Sequence, residues 1–232
     1  MKRENSILQW GHERGITVTT QENRMKRVSA QCKKLRQEYE EMLTDDDKDS
    51  LGDQYVVLSM IAGILGSTAS LARYAVRDIL PKEDSLKSNI GQCLNSLEWM
   101  VEISQDPKHN NSVEILKEVG YYVEALERYA ESKEWSLQEC VEVAWEDIKD
   151  RGGCMIMGMF VKEANLEILE TYGVYVQEDE EGQKMLEGWV DDNQVEDVCK
   201  VIGGLGYDYH LTEAGYRLKG FPQTLISTFE NL

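Results

Sequence analysis

Only 3 of the 232 residues are proline, against 18 glycines, and long stretches contain neither. Proline breaks helices and glycine weakens them, so such stretches favour helix. Basic side chains are also scarce: 25 Lys and Arg face 43 Asp and Glu, a formal net charge of −18. A protein that grips a nucleic-acid backbone needs a basic face, so no nucleic-acid polymer is expected as a partner. A local cationic pocket for one nucleotide stays compatible with this balance. The cysteines, Cys32, Cys93, Cys140, Cys154 and Cys199, are odd in number and show no CxxC or Cys/His spacing. Neither a disulfide framework nor a zinc site is indicated. No apolar run approaches a transmembrane span, and Met1-Lys-Arg-Glu-Asn5 leads into too few apolar residues for a signal-peptide core. A cytoplasmic location with no membrane partner is expected. No P-loop, dinucleotide fingerprint or Ser/His/Asp set is present.

What is present is a 41% hydrophobic share arranged with helical spacing. Ile7, Leu8, Trp10 and Ile16 form a short stripe on one helix ending near Gly15. Val28, Cys32, Leu35, Tyr39 and Met42 place an amphipathic helix over 28–43. After the charged link Thr44-Asp-Asp-Asp-Lys48, which can supply an N-cap, residues 49–66 read as a helix apolar on most sides and therefore central. Further helices are expected over 67–80, 88–104, 112–132 and 136–150, the last opened by a capping box of Ser136 and Glu139. Beyond Gly152-Gly153 the pattern changes. An extended piece over 155–162, a helical turn or two over 163–170, a strand over 173–177 and a helix over 190–203 are expected. The fold class is all-α: a helical bundle over 1–164, with a small α or α+β appendage over 165–232.

Two segments resemble each other. Gln31-Cys32 is echoed by Gln92-Cys93, 61 residues later, and Ser50-Leu-Gly-Asp53 by Glu118-Val-Gly-Tyr121, 68 residues later. A degenerate repeat over 88–132 competes evenly with chance likeness between two amphipathic hairpins. On these offsets Trp99 stands where the first copy has Glu38, Tyr121 where it has Asp53, and Glu102 matches Glu41.

Glu38 and Glu41 lie three apart on the 28–43 helix, and Asp49 and Asp53 four apart on the next. These spacings put each pair on one helix face. Two antiparallel helices can then aim four carboxylates into one gap, where like charges repel unless a cation intervenes. Hard oxygen donors of this kind suit Mg²⁺, or Mn²⁺, and through it phosphate. Gly52 would leave room beside Asp53 for metal and phosphate. The plain alternative is a solvated acidic face. Trp10 could stack on a base, but core packing is favoured. Gln31 could read a base edge and Lys34 meet a phosphate, with ordinary surface roles as the alternative.

The segments Gln31-Cys-Lys-Lys-Leu-Arg-Gln-Glu-Tyr-Glu-Glu41 and Asp49-Ser-Leu-Gly-Asp-Gln-Tyr-Val-Val-Leu58 resemble the core of the MazG-like all-α nucleoside triphosphate pyrophosphohydrolases. The segments Ile7–Ile16, Ser136–Arg151 and Gly158–Glu163 are similar to the bacteriophage branch of that family, which would place the chain in a host cytoplasm. The resemblance covers residues 5–66 and 136–163. It implies a Mg²⁺-dependent helical bundle, usually a symmetric homo-oligomer such as a dimer or tetramer. The reaction implied splits a ribo- or deoxyribonucleoside triphosphate into monophosphate and pyrophosphate. The family signature is EExxE followed by ExxD. Carried over, it gives Glu38, Glu41 and Asp53 as metal ligands, with Glu38 or Glu41 acting on the attacking water. Gln37 stands at the leading Glu, and Ser50 at the Glu three residues before Asp53, so neighbouring Asp49 is the substitute ligand. Lys149, Arg151 and Lys162 are the candidate phosphate contacts. Ser50 and the missing family lysines motivate a second reading: a catalytically weak nucleotide sensor, or a decoy for a phosphorylated host signal. A third is a helical interaction protein.

Overall fold

The computed structural model describes residues 1–21, 23–77, 86–106, 111–156, 159–178, 184–189, 194, 197–198, 207–212 and 217–222. The chain divides into two compact units, Met1–Asp150 and Arg151–Leu232, so the division falls earlier than the expected 164/165 boundary.

The first unit is an all-α bundle. Its described helices are α1 (Glu4–Glu13), α2 (Arg24–Asp45), α3 (Lys48–Ile64), α4 (Ala69–Val76), α5 (Leu86–Ile103), α6 (Ser112–Ser132) and α7 (Leu137–Ile148). The buried stripe of α2 is Val28, Cys32, Leu35, Glu38 and Met42, with one carboxylate among apolar side chains. Asp47 caps α3 by accepting from the Ser50 N–H, which answers which residue of the charged link serves as cap. Ser136 and Glu139 form the expected capping box on α7. α3 is buried along almost its whole length and packs against α1, α2, α4, α6 and α7. Trp10 is core, 8% exposed, with the Arg14 guanidinium over its ring. Among the described residues no single helix is long and apolar enough to cross a membrane.

Segments α2–α4 and α5–α7 are built alike. Gln54 and Tyr122, 68 residues apart, meet directly: the Tyr122 hydroxyl donates to Gln54 Oε1 at 2.8 Å. The same separation relates the ends of α3 and α6. Gly66 and Glu134 both have positive φ, and the Ser67 and Trp135 N–H groups donate to the Ala62 and Ala130 carbonyls. It also relates the caps that start α4 and α7, where Thr68 accepts from Leu71 N–H and Ser136 from Glu139 N–H. The third helices are exchanged. A Cβ on Gly52 of α3 would lie 2.2 Å from the Cys140 carbonyl oxygen of α7, and one on Gly120 of α6 would lie 2.4 Å from that of Ala72 in α4. Each third helix thus packs on the second helix of the other copy, and only glycine admits so close a backbone approach.

The first helices follow a spacing of 62. Arg36 Nε donates to Glu98 Oε1 at 2.7 Å across that separation. Buried Val28, Cys32, Leu35 and Met42 then correspond to buried Ile90, Leu94, Leu97 and Ser104. The offset of 61 from Gln31-Cys32 is therefore one residue short. It would set Trp99, 60% exposed, opposite buried Glu38. At a spacing of 62, Met100 answers to Glu38 and Ile103 to Glu41, while at 68 Tyr121 stays opposite Asp53. The second copy carries none of the candidate acids, and its α5 and α6 pack on α2 and α3.

Gln54 and Tyr122 are both fully buried, and Gln54 Nε2 is already committed to the Ser50 carbonyl at 3.0 Å. Tyr122→Phe strands Gln54 Oε1 in the core, at an expected cost of about 1–3 kcal/mol. Urea denaturation checks this, with a lower midpoint at unchanged slope.

The second unit is α+β. Strands β1 (Gly153–Ile156) and β2 (Met159–Lys162) form an antiparallel hairpin, followed by α8 (Glu163–Thr171). Strands β3 (Val174–Glu178), β4 (Lys184–Trp189), β5 (Tyr207–Thr212) and β6 (Arg217–Pro222) form an antiparallel sheet in the order β3-β4-β6-β5. Leu169 of α8, Val174 of β3 and Leu186 of β4 are buried in this unit. The helix expected over 190–203 lies outside the described residues, apart from Gln194, Asp197 and Val198.

Candidate functional site

Glu38 is the buried carboxylate of α2, 3% exposed, inside the stripe that meets α3. Its Oε1 pairs with the Lys34 ammonium one turn earlier. Its Oε2 is buried with no hydrogen-bond partner. Burial raises the Glu38 carboxyl above its ordinary range, Lys34 pulls it back, and the like charge of Glu41 raises it again. An acid whose proton affinity rises on folding stabilises the fold most below its unfolded value. That contribution is lost as pH climbs through the raised folded value. Glu38→Gln removes the penalty, so its melting temperature should gain on the parent more near pH 7 than near pH 4. Paired thermal melts check this.

Glu41, one turn on, is exposed. Asp49 and Asp53 are half-buried, one turn apart in α3, and Asp49 sits in the first turn where the helix dipole favours an anion. Among the described residues no three His, Cys, Asp or Glu side chains stand close enough to hold a metal ion. Glu38 has both Lys34 and Glu41 as charged neighbours. The fit to a divalent ion is therefore partial. Glu38 offers an unpartnered inward oxygen and Glu41 follows it on α2, while Asp49 and Asp53 stand on the helix packed against them.

Gly52 does not leave space for metal and phosphate as expected. The Cys140 carbonyl and the Ala144 methyl occupy that space. Of the candidate substrate contacts, Gln31 and Lys34 lie on α2 with Glu38, Gln31 half-buried and Lys34 committed to the ion pair. Lys149 pairs with Glu146 at 2.5 Å, which raises its ammonium's proton affinity. Arg151 and Lys162 belong to the second unit. Arg151 lines a cleft there with Gly152, Glu163, Ala164 and Glu167, and Lys162 pairs in register with Gly153.

A cationic cluster was not legible in the sequence. Lys87 of α5 and Lys133 at the end of α6 both reach Asp46 Oδ2, at 3.2 and 2.6 Å, and the Tyr129 hydroxyl donates to Asp46 Oδ1. Lys48 and Lys133 both lie over the Trp135 ring. Asp46 and Lys48 come from the α2–α3 link, Lys87 from α5, and Tyr129, Lys133 and Trp135 from the end of α6, so only the assembled bundle unites the three groups. No family model, curated protein or solved structure matches the chain.

Proposed function

We propose that the chain hydrolyses a nucleoside or deoxynucleoside triphosphate to monophosphate and pyrophosphate with Mg²⁺, or Mn²⁺, at the acids of the first copy. The observation that carries this reading is Glu38, a buried carboxylate with an unpartnered oxygen in a core stripe. Burying a charge is costly, and a fold keeps such a group most readily where it has work to do. The resemblance of 31–41 and 49–58 to the MazG-like pattern supports it, as does the confinement of the acids to one of two like copies.

Glu38 and Glu41 would hold the ion from α2, and Asp53 with Asp49 from α3. Such an ion would neutralise the triphosphate and acidify a bound water. Glu38 or Glu41 would orient that water or take its proton. Gln31 would face the base, and Lys34, once released from Glu38, a phosphate. Lys149, Arg151 and Lys162 stay candidates for the remaining phosphate charge. Self-association and a cytoplasmic setting belong to the same proposal.

A second reading has its own observation. The Lys34–Glu38 pair already balances the buried charge, and no third acid stands with Glu38 and Glu41 among the described residues. A nucleotide sensor or decoy that binds without turnover has this character. Incubation with a panel of nucleoside triphosphates and Mg²⁺, followed by product chromatography, separates the two. Monophosphate with pyrophosphate establishes the hydrolase. Intact nucleotides that still raise the melting temperature establish the sensor. Intact nucleotides with no stabilisation overturn both.

A further inference from the structure

We propose that Lys48, Lys87 and Lys133, with Tyr129 and Trp135, form a binding site for a phosphate-type anion, and that Asp46 fills its place in the ligand-free protein. The site needs no metal ion, although Lys48 adjoins Asp49 of the hydrolase reading.

In a protein of net charge −18, two ammonium groups converge on one carboxylate oxygen, and a phenol donates to the other. The third ammonium, Lys48, shares the Trp135 ring with Lys133, at 5.9 and 6.0 Å from its centroid, and has Glu139 Oε2 at 3.6 Å. The lysine side chains keep 34–37% of their surface exposed, so an incoming anion can reach them. Lys87 is the second residue of α5, and the dipoles of that helix start add positive potential.

Asp46 is poorly placed for the helix that carries it. It terminates α2 in the left-handed conformation, φ 48°, where glycine or asparagine is the usual residue. It also sets a negative charge at the negative end of the α2 dipole. Its side chain is nevertheless held by three donors, two of them ammonium groups. An oxyanion of higher charge would draw on the same donors. Two sources share that chemistry: free pyrophosphate, and the phosphates of a nucleotide whose base could meet the Trp135 ring.

The test is calorimetric titration of the full chain with pyrophosphate at low salt, with a chelator to remove divalent ions. Binding at one site is expected. Asp46→Asn keeps a residue that tolerates the left-handed conformation and should bind about tenfold tighter, since a competing anion is gone. Lys87→Met and Lys133→Met keep the aliphatic stems and should each bind at least about tenfold more weakly. Competition by a nucleoside triphosphate, but not by the free nucleoside, identifies nucleotide phosphates as the ligand. Pyrophosphate binding without such competition identifies the free anion. Failure of folded Asp46→Asn to bind pyrophosphate, or parental affinity in both lysine variants, overturns the proposal.

Discussion

Gly52→Ala should destabilise the first unit by about 3 kcal/mol, a fall of roughly 6–12 °C in melting temperature for a protein of this size. The added methyl would sit 2.2 Å from the Cys140 carbonyl oxygen, 2.7 Å from its carbon and 2.8 Å from the Ala144 Cβ. Two of these are backbone atoms, which cannot swing aside as a long side chain can. Alanine gains about 1 kcal/mol over glycine in helix propensity, but the clash with a neighbouring helix outweighs it. Gly120→Ala should behave in the same way, because the Ala72 carbonyl stands over Gly120 as the Cys140 carbonyl stands over Gly52. Differential scanning calorimetry on both variants checks the exchanged-helix architecture. A stability at or above the parent in either one would show that α3–α7 or α4–α6 does not pack so closely.

Glu38→Gln should lower turnover at least about 100-fold, the scale on which a positioned proton acceptor contributes. It should leave the protein folded and, near neutral pH, more stable, because a buried charge with a bare oxygen is gone. Asp53→Asn should likewise lower turnover while sparing the fold, since Asp53 is only half-buried. In both variants Mg²⁺ with nucleotide should add less thermal stability than in the parent, because a lost anionic ligand weakens the linked binding. Matched variants of Met100 and Tyr121 in the second copy should show no such loss of Mg²⁺ response. Parental rates in Glu38→Gln would remove the acids of α2 from the chemistry.

The helices were legible because their signals are local. Val28, Cys32, Leu35 and Met42 mark one face of α2, and the Ser136–Glu139 box is complete within four residues of sequence. The repeat was half legible. Gly52 and Gly120 stand at the right separation, but the first-helix offset rested on one Gln-Cys pair, whereas the buried positions set it one residue longer. The role of Gly52 was not readable: a glycine that admits a ligand and one that admits a neighbouring backbone look alike in sequence. The sheet of the second unit was largely missed. β4 interrupts its apolar pattern with Glu187-Gly188, β5 and β6 mix charged with apolar residues, and β4 meets β6 from far along the chain. At the candidate site the acids were legible one by one. The Lys34–Glu38 pair and the cluster around Asp46 depend on rotamers and on helices far apart in sequence.

The most direct measurement is turnover of a nucleoside triphosphate in water labelled with heavy oxygen, with mass analysis of both products. Attack at the α-phosphorus, the reaction assigned to the acids of α2 and α3, puts the label in the nucleoside monophosphate and leaves pyrophosphate unlabelled. Label in pyrophosphate or in inorganic phosphate, or no product at all, would contradict it.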